Sequence, residues 1–406
     1  MDENPKLRPV EVFPVKSGAN PLVCIRDATG LSDRMITASA GVVPVLEMLD
    51  GEHSLLDIQT ALTRQRGALV MSDEVRKVLE VLDEALLLEG ERFEAYRRRL
   101  EQEFAAASVR RAASAGGGYP NDAGELREFL EGILAEAEVA PEAAEAPLRG
   151  LIAPHIDHAR GRKSYAEAFA ALARSEPAEL FVFLGTAHAE TVEQFALTRK
   201  DFETPLGTAV TDVDFVEALA AGSGRDLFTD EFLHRGEHSV ELELVFVQHL
   251  MQKAGCEFKV VPVLCGGFDR AMAEDISPMS LPGVPEVIDA LRELIAAERR
   301  RVVLIAGADL SHVGPRFGGE ERLTSGTLSD LEDADRETLV FVEEGEAERF
   351  YRHVALDDNA RHICGVAPIV MLLEVLEPAR VRLLRYEQWA DDEGLSCVTF
   401  AAAVVT

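Results

Sequence analysis

The sequence predicts an α/β protein: a mixed central sheet flanked by helices over residues 148–406, preceded by a small, mainly helical, winged-helix-like domain over 1–104 and a linker over 105–147. Three observations carry this. From Arg149 onward, continuous apolar runs (GLIAP, ELFVFLG, KVVPVLCGG, RVVLIAGA) alternate with helical segments, the pattern of strands buried on both faces of a sheet. Between 41 and 104, apolar residues instead recur at helical spacing. The chain closes with two more apolar runs, RVRLLRYEQW and SCVTFAAAVV, joined by a DDEG turn, so these strands pair antiparallel and the sheet is mixed.

In the N-terminal part, Val45, Leu46 and Leu49, then Leu55, Ile58 and Leu62, then Val75, Leu79 and Leu82 mark three short helices. Asp50-Gly51 and a Ser72-Asp73 cap separate them, and LLLEGERF is expected to form a small hairpin. Residues 105–147 are rich in Ala, Glu and Gly and read as a linker carrying one amphipathic helix, 122–137. Beyond it, helices are expected over 163–174, 213–221, 239–253, 285–300 and 366–376.

At 406 residues and 47% hydrophobic, the chain can bury a sizeable core and form two or three domains. Lys plus Arg total 41 against 72 for Asp plus Glu, a formal charge of −31, so nucleic acid and anionic membrane are poor partners. A winged helix can read DNA, but acidic residues outnumber basic ones between Glu47 and Arg99, leaving no basic recognition face. MDENPKLRPVEVFPVK lacks the apolar core of a signal peptide, and no uncharged apolar run approaches the roughly 18 residues of a membrane span. Five scattered cysteines without CxxC spacing indicate neither a disulfide framework nor a zinc finger, and the expected compartment is the reducing cytoplasm.

The chemistry concentrates at strand ends. Pro154-His155-Ile156-Asp157-His158 follows GLIA, Gly185-Thr186-Ala187-His188 follows LFVFL, and Ala308-Asp309-Leu310-Ser311-His312 follows VVLIAG. Carboxyl ends of strands in α/β sheets converge on one rim, so His155, His188 and His312 are expected in a common pocket. A lone histidine is more often structural; the repetition argues for function. Arg235-Gly236-Glu237-His238-Ser239 precedes a helix that Ser239 is expected to cap, which places Glu237 and His238 at its start.

In RHICGVAP, Cys364 stands before a helix with Pro368 in its first turn. A helix start favours thiolate, which is both metal ligand and nucleophile. Cys265, Cys397 and Cys256 read as packing residues. A thiolate with imidazoles suits zinc, iron or copper rather than magnesium or calcium.

The co-linear set APHIDHARG, GTAHAE, FETPLGTAVTD, GEHSVELELVFVQHL, VVPVLCG, GADLSHVG and HICGVAPIVMLLEVL resembles the Memo family over residues 149–406. The resemblance implies a fold similar to the LigB-type subunit of extradiol dioxygenases, with iron or copper held by His155, His188 and Cys364. Asp309, His312 and His238 match further polar residues of the family pocket and are candidates for supporting or acid/base roles. Where the family usually reads Pro-His-Ala-Gly, this chain has Pro154-His155-Ile156-Asp157-His158, which leaves His158 open as an added or replacement ligand. Microbial members belong to a system with an AMMECR-type protein and a radical SAM enzyme, in which the Memo-like component is system protein B; this implies those two partners. The pattern LDGEHSLLDI…VLDEALLLEG resembles the small PqqD-type domain, implying that the N-terminal part recruits a peptide or partner protein.

Three functional readings follow. The first is iron- or copper-dependent redox or oxygenase-type chemistry, with His312 or His238 moving protons. The second is a non-catalytic carrier or scaffold for a partner enzyme. The third makes Cys364 a nucleophile, with His312 or His188 as base and Asp309 orienting it. His362 is expected to be a supporting or exposed residue.

Overall fold

A computed structural model describes residues 4–15, 21–138 and 147–406. The ends of the N-terminal stretch MDENPKLRPVEVFPVK and residues 139–146 of the expected linker lie outside the described residues. The chain divides into two compact units, Met1–Ala106 and Ala107–Thr406.

The first unit is more than three helices. Strands β1 (Val10–Val15), β2 (Leu22–Asp27) and β3 (Met35–Ser39) form an antiparallel sheet in that order. The helices Leu55–Arg66 and Ser72–Glu84 follow, with Ile58, Leu62, Val75, Leu79 and Leu82 buried as their spacing predicts. Ser54 and Asp57 form a reciprocal capping box at the first of these helices, and Gly67 ends it in the left-handed conformation. The hairpin expected at LLLEGERF does not form: Leu86 has φ +63° and the helix Glu91–Ala106 starts inside that segment. The unit is mainly helical, as expected, with a three-stranded sheet that precedes its helices and that the helical spacing did not announce.

The second unit is the expected mixed α/β sheet. Its strands are β4 (Val109–Arg110), β5 (Gly150–Ala153), β6 (Leu180–Thr186), β7 (Phe195–Leu197), β8 (Asp201–Thr204), β9 (Gly207–Thr211), β10 (Lys259–Cys265), β11 (Val302–Gly307), β12 (Asp309–Val313), β13 (Val381–Ala390) and β14 (Cys397–Val405). They run in the order β12-β14-β5-β11-β6-β10-β9-β8-β4, with β13 on β14 and β7 on β10. The central strands β5, β11, β6 and β10 are parallel. As the DDEG turn predicts, β13 and β14 are antiparallel, and β14 also pairs antiparallel with β5 and β12.

Alternation along each strand sorts side chains to two cores. Leu180, Val182 and Leu184 of β6 join one, with the helices Val213–Ser223, Val284–Ala297 and Val366–Val375; Phe181 and Phe183 join the other, with Ala123–Leu134, Arg162–Arg174 and Glu241–Ala254. Both faces of the sheet are thus covered, as continuous apolar strands require.

The segment expected as a linker is, where described, part of this unit. β4 pairs in parallel with β8, the helix Ala123–Leu134 buries Leu126, Leu130 and Ile133, and Arg110 is fully buried. The unit accordingly starts near Ala107 rather than at 148.

Candidate metal centre

The parallel strands deliver their carboxyl ends to one rim. His155 stands two residues past β5 and His188 two residues past β6. His238 comes from the turn before Glu241–Ala254, and Cys364 from the turn before Val366–Val375. His155, His188 and His238 each offer a ligand atom, and these atoms lie within 4.8 Å of one another. Their ring centroids are 4.8 to 5.4 Å apart. Cys364 Sγ approaches His155 Nε2 to 3.3 Å and Asp309 O to 3.7 Å.

Hydrogen bonds fix which ring nitrogens face the cluster. His155 Nδ1 donates to Gly307 O at 2.9 Å, which leaves Nε2 as the acceptor directed at the thiol. His188 Nδ1 lies 3.0 Å from Glu237 Oε2, which leaves Nε2 as the ring nitrogen not engaged with that carboxylate. Glu237 also accepts the backbone N–H groups of His188, His238 and Ser239 at 3.2, 2.8 and 3.0 Å, and His238 Nδ1 lies 3.3 Å from its Oε1. One carboxylate, its side chain only 8% exposed, therefore orients two imidazoles and the turn that carries one of them. Backbone charge-assisted bonds take over the role expected of Ser239, whose hydroxyl instead donates to Thr186 O at 2.8 Å.

Close packing explains two glycines. A Cβ on Gly307 would meet Ser239 O at 2.1 Å, so only glycine lets the His238-Ser239 turn rest on the end of β11. A Cβ on Gly365 would meet Asp309 O at 2.5 Å, whereas its N–H donates to that same oxygen at 3.0 Å and fixes the Cys364 turn against Asp309.

The electrostatics follow from burial and Glu237. Burial, and then His188 and His238, hold His155 well below its ordinary value, so it is a neutral ligand nitrogen. Burial opposes protonation of His188, but the Glu237 carboxylate outweighs it and holds that imidazole well above its ordinary value. His238 is lowered by burial, with Glu237 working against the shift. Glu237 itself stays well below the carboxylate range: burial pushes it up, and the His188 charge more than offsets this. Burial lifts Asp309 to about 7, and Asp309 Oδ1 accepts the His155 N–H at 2.9 Å. The Cys364 thiol is pushed up by burial, with His188 partly opposing, so the helix start alone does not make it a thiolate.

Several expectations change. The third imidazole beside His155 and His188 is His238, not His312. After Ala308 the chain re-enters the sheet as β12, antiparallel to β14, and sets His312 against the segment that carries Cys364; its Nδ1 lies 3.1 Å from Leu310 O and 3.2 Å from His362 O. His158 is fully buried among Tyr119, Phe129, Tyr165 and Phe246, with Nε2 donating to Leu242 O at 2.9 Å, so it packs away from the rim. Asp157 pairs with Arg160 at 2.9 Å. His362 is exposed, with φ +51°.

Sequence reasoning missed the support beneath the turn. Fully buried Arg110 donates Nε to His234 O at 2.9 Å and Nη2 to Glu237 O at 2.7 Å, and pairs through Nη1 with the fully buried Glu241. Ala113 N and Ser114 N donate to the Glu241 carboxylate at 2.8 and 2.9 Å, and Tyr119 O–H donates to it too. An arginine and a tyrosine within an Ala/Gly-rich stretch were the available signal.

A mixed α/β sheet that gathers three imidazoles and a thiol at its carboxyl rim defines a protein whose histidine cluster could hold a metal ion. Memo-like protein is the family that matches, over residues 110–404, and the chain belongs to it. The match begins at Arg110, the last residue of β4, in agreement with the place of Arg110 in the α/β unit. A MEMO1 family protein of Aquifex aeolicus is 26% identical over 383 residues, spanning 94% of this chain and 95% of that protein. One from Thermus thermophilus is 32% identical over 351 residues, 85% of this chain and 97% of the relative. A MEMO1 family protein of Methanosarcina acetivorans is 28% identical over 305 residues, 73% of this chain and 98% of the relative. Among the described residues, no helix is long and apolar enough to cross a membrane.

Proposed function

We propose that this Memo-like protein binds an iron or copper ion through His155, His188 and Cys364 and uses it for redox or oxygenase-type chemistry. The observation that carries the reading is the donor set: a neutral, oriented His155 Nε2 stands 3.3 Å from Cys364 Sγ and beside two further imidazoles. Mixed imidazole and thiolate donors fit iron, copper or zinc and do not suit magnesium or calcium. A redox-active ion bound there would supply Lewis-acid and electron-transfer chemistry.

The chain's own residues do the rest. Gly307 O and Glu237 fix the ring orientations of His155 and His188. His188 and Cys364 would have to give up a proton each to serve as ligands, so a metal held there would be taken up with release of protons. His238, with its side chain 41% exposed and Nδ1 beside Glu237, holds or hands over a proton at the solvent side of the rim. Asp309 and His312 act as supporting groups, Asp309 through the His155 backbone. Burial of the Cys364 thiol favours the ligand role over the nucleophile role.

The family resemblance supports an AMMECR-type protein and a radical SAM enzyme as partners; a carrier role within such a system would keep the metal without turnover. The PqqD-like pattern supports peptide recruitment by the N-terminal unit, and partner binding retained in full without residues 1–105 would overturn that. The free cysteines support a reducing, cytoplasmic setting. X-ray absorption at the metal edge tests the site: one sulfur among nitrogen donors is expected in the loaded wild type, and no sulfur in Cys364→Ser. A sulfur signal unchanged by that substitution contradicts the assignment.

A further inference from the structure

We propose that the cavity beside His188 and Cys364 binds a small organic monocarboxylate with an apolar tail, whose carboxylate pairs with Arg225. The proposal names the ligand class for the site above and rests on that reading only for the metal end of the cavity.

The cavity has a volume of about 750 Å³, within the range of small-molecule sites, and is lined by His188, Cys364 and Arg225 among others. It opens at the carboxyl ends of the adjacent parallel strands β6 and β10, where ligands of α/β sheets bind. Phe268, Leu281, Ile363 and Val366 contribute an apolar wall, each 4% exposed or less. A ligand lying there would shed water from its tail, and the low-dielectric wall would strengthen any ion pair at its head.

Arg225 has unused capacity. Its Nε donates to Glu193 Oε2 at 2.5 Å, which fixes the guanidinium, while Nη1 and Nη2 have no hydrogen-bond partner among the described residues. That open edge presents two parallel N–H groups, the geometry that recognises a carboxylate bidentately. Arg270 also lines the cavity, although its Nε is engaged with Glu274. Arg225 and Arg270 are the guanidiniums of this concave surface, and Arg225 stands with its terminal nitrogens unengaged among the described residues while its Nε is held in place. Glu190, Glu193 and Asp269 border the same space and weigh against a dianion, which selects a monocarboxylate over a phosphate ester. They would also attract an amine, and this sets the control.

Hexanoate, hexanol and hexylammonium, equal in chain length, are titrated by ligand-observed NMR into the full chain, metal-free and zinc-loaded. Hexanoate is expected to bind both forms at least tenfold more tightly than either analogue. Arg225→Gln is expected to weaken it at least tenfold while keeping the wild-type zinc stoichiometry. Arg225→Lys, which keeps the charge without the fork, is expected to lose at least threefold, and it decides the matter if Arg225→Gln does not fold. Equal affinity for hexylammonium, or unchanged hexanoate affinity in either variant, overturns the proposal. Zinc that fails to bind while hexanoate remains selective removes the metal reading and leaves the carboxylate site standing.

Discussion

Replacing Glu237 by Gln removes the charge at the hub of the site while keeping its shape. In the native site the carboxylate accepts four N–H groups: His188 N at 3.2 Å, His188 Nδ1 at 3.0 Å, His238 N at 2.8 Å and Ser239 N at 3.0 Å. The amide of Gln offers one oxygen, and its NH2 faces donors, so part of this set loses its acceptor. Losing a group that orients metal-bound histidines costs on the order of 10- to 100-fold in metal affinity, or about 1.4–2.7 kcal/mol. Each N–H left unpaired in a buried place costs a further ~1–3 kcal/mol of fold stability. The assay is chelator competition for Zn(II) or, without oxygen, Fe(II), with circular dichroism confirming the fold. Affinity within twofold of wild type would refute the view that Glu237 orients His188.

Two further outcomes follow from the buried polar groups. Arg110→Ala strands the Glu241 carboxylate, which retains Ala113 N, Ser114 N and Tyr119 O–H; a loss of roughly 3 kcal/mol in urea denaturation is expected, and less than about 1 kcal/mol contradicts the positioning role. His158 and His234 are fully buried and lowered by desolvation to about 4, so the unfolded chain binds more protons than the fold between that value and the ordinary 6.5. Their contribution is complete above about 6.5 and is lost as pH falls through about 4, up to about 3 kcal/mol for each. Stability measured from pH 7.5 to 4.5 should fall in that window, and less steeply in His158→Phe; parallel profiles would contradict the assignment.

The sheet was legible because its strands are buried on both faces and therefore read as unbroken apolar runs, and because β13 and β14 flank an obvious turn. His155, His188 and Cys364 were legible because each ends a strand or begins a helix at the rim. That His238 rather than His312 groups with His155 and His188 was not legible, because sequence shows a strand ending at Gly307 but not that the chain continues one residue later as β12, paired antiparallel with β14. Glu237 became central only in three dimensions, where separate segments converge on its carboxylate. The stretch from Ala107 to Tyr119 was hidden by composition: its small residues read as linker, yet they let Arg110 and Tyr119 close around Glu241. In the N-terminal unit, helical spacing gave the right core while the strands before it went unread.

The metal content of the full chain, purified without oxygen and compared with Cys364→Ala and His188→Ala, tests the central claim most directly. Near-stoichiometric iron or copper in the wild type and its loss in both variants is the predicted result. Equal, substoichiometric metal in all three proteins would contradict it.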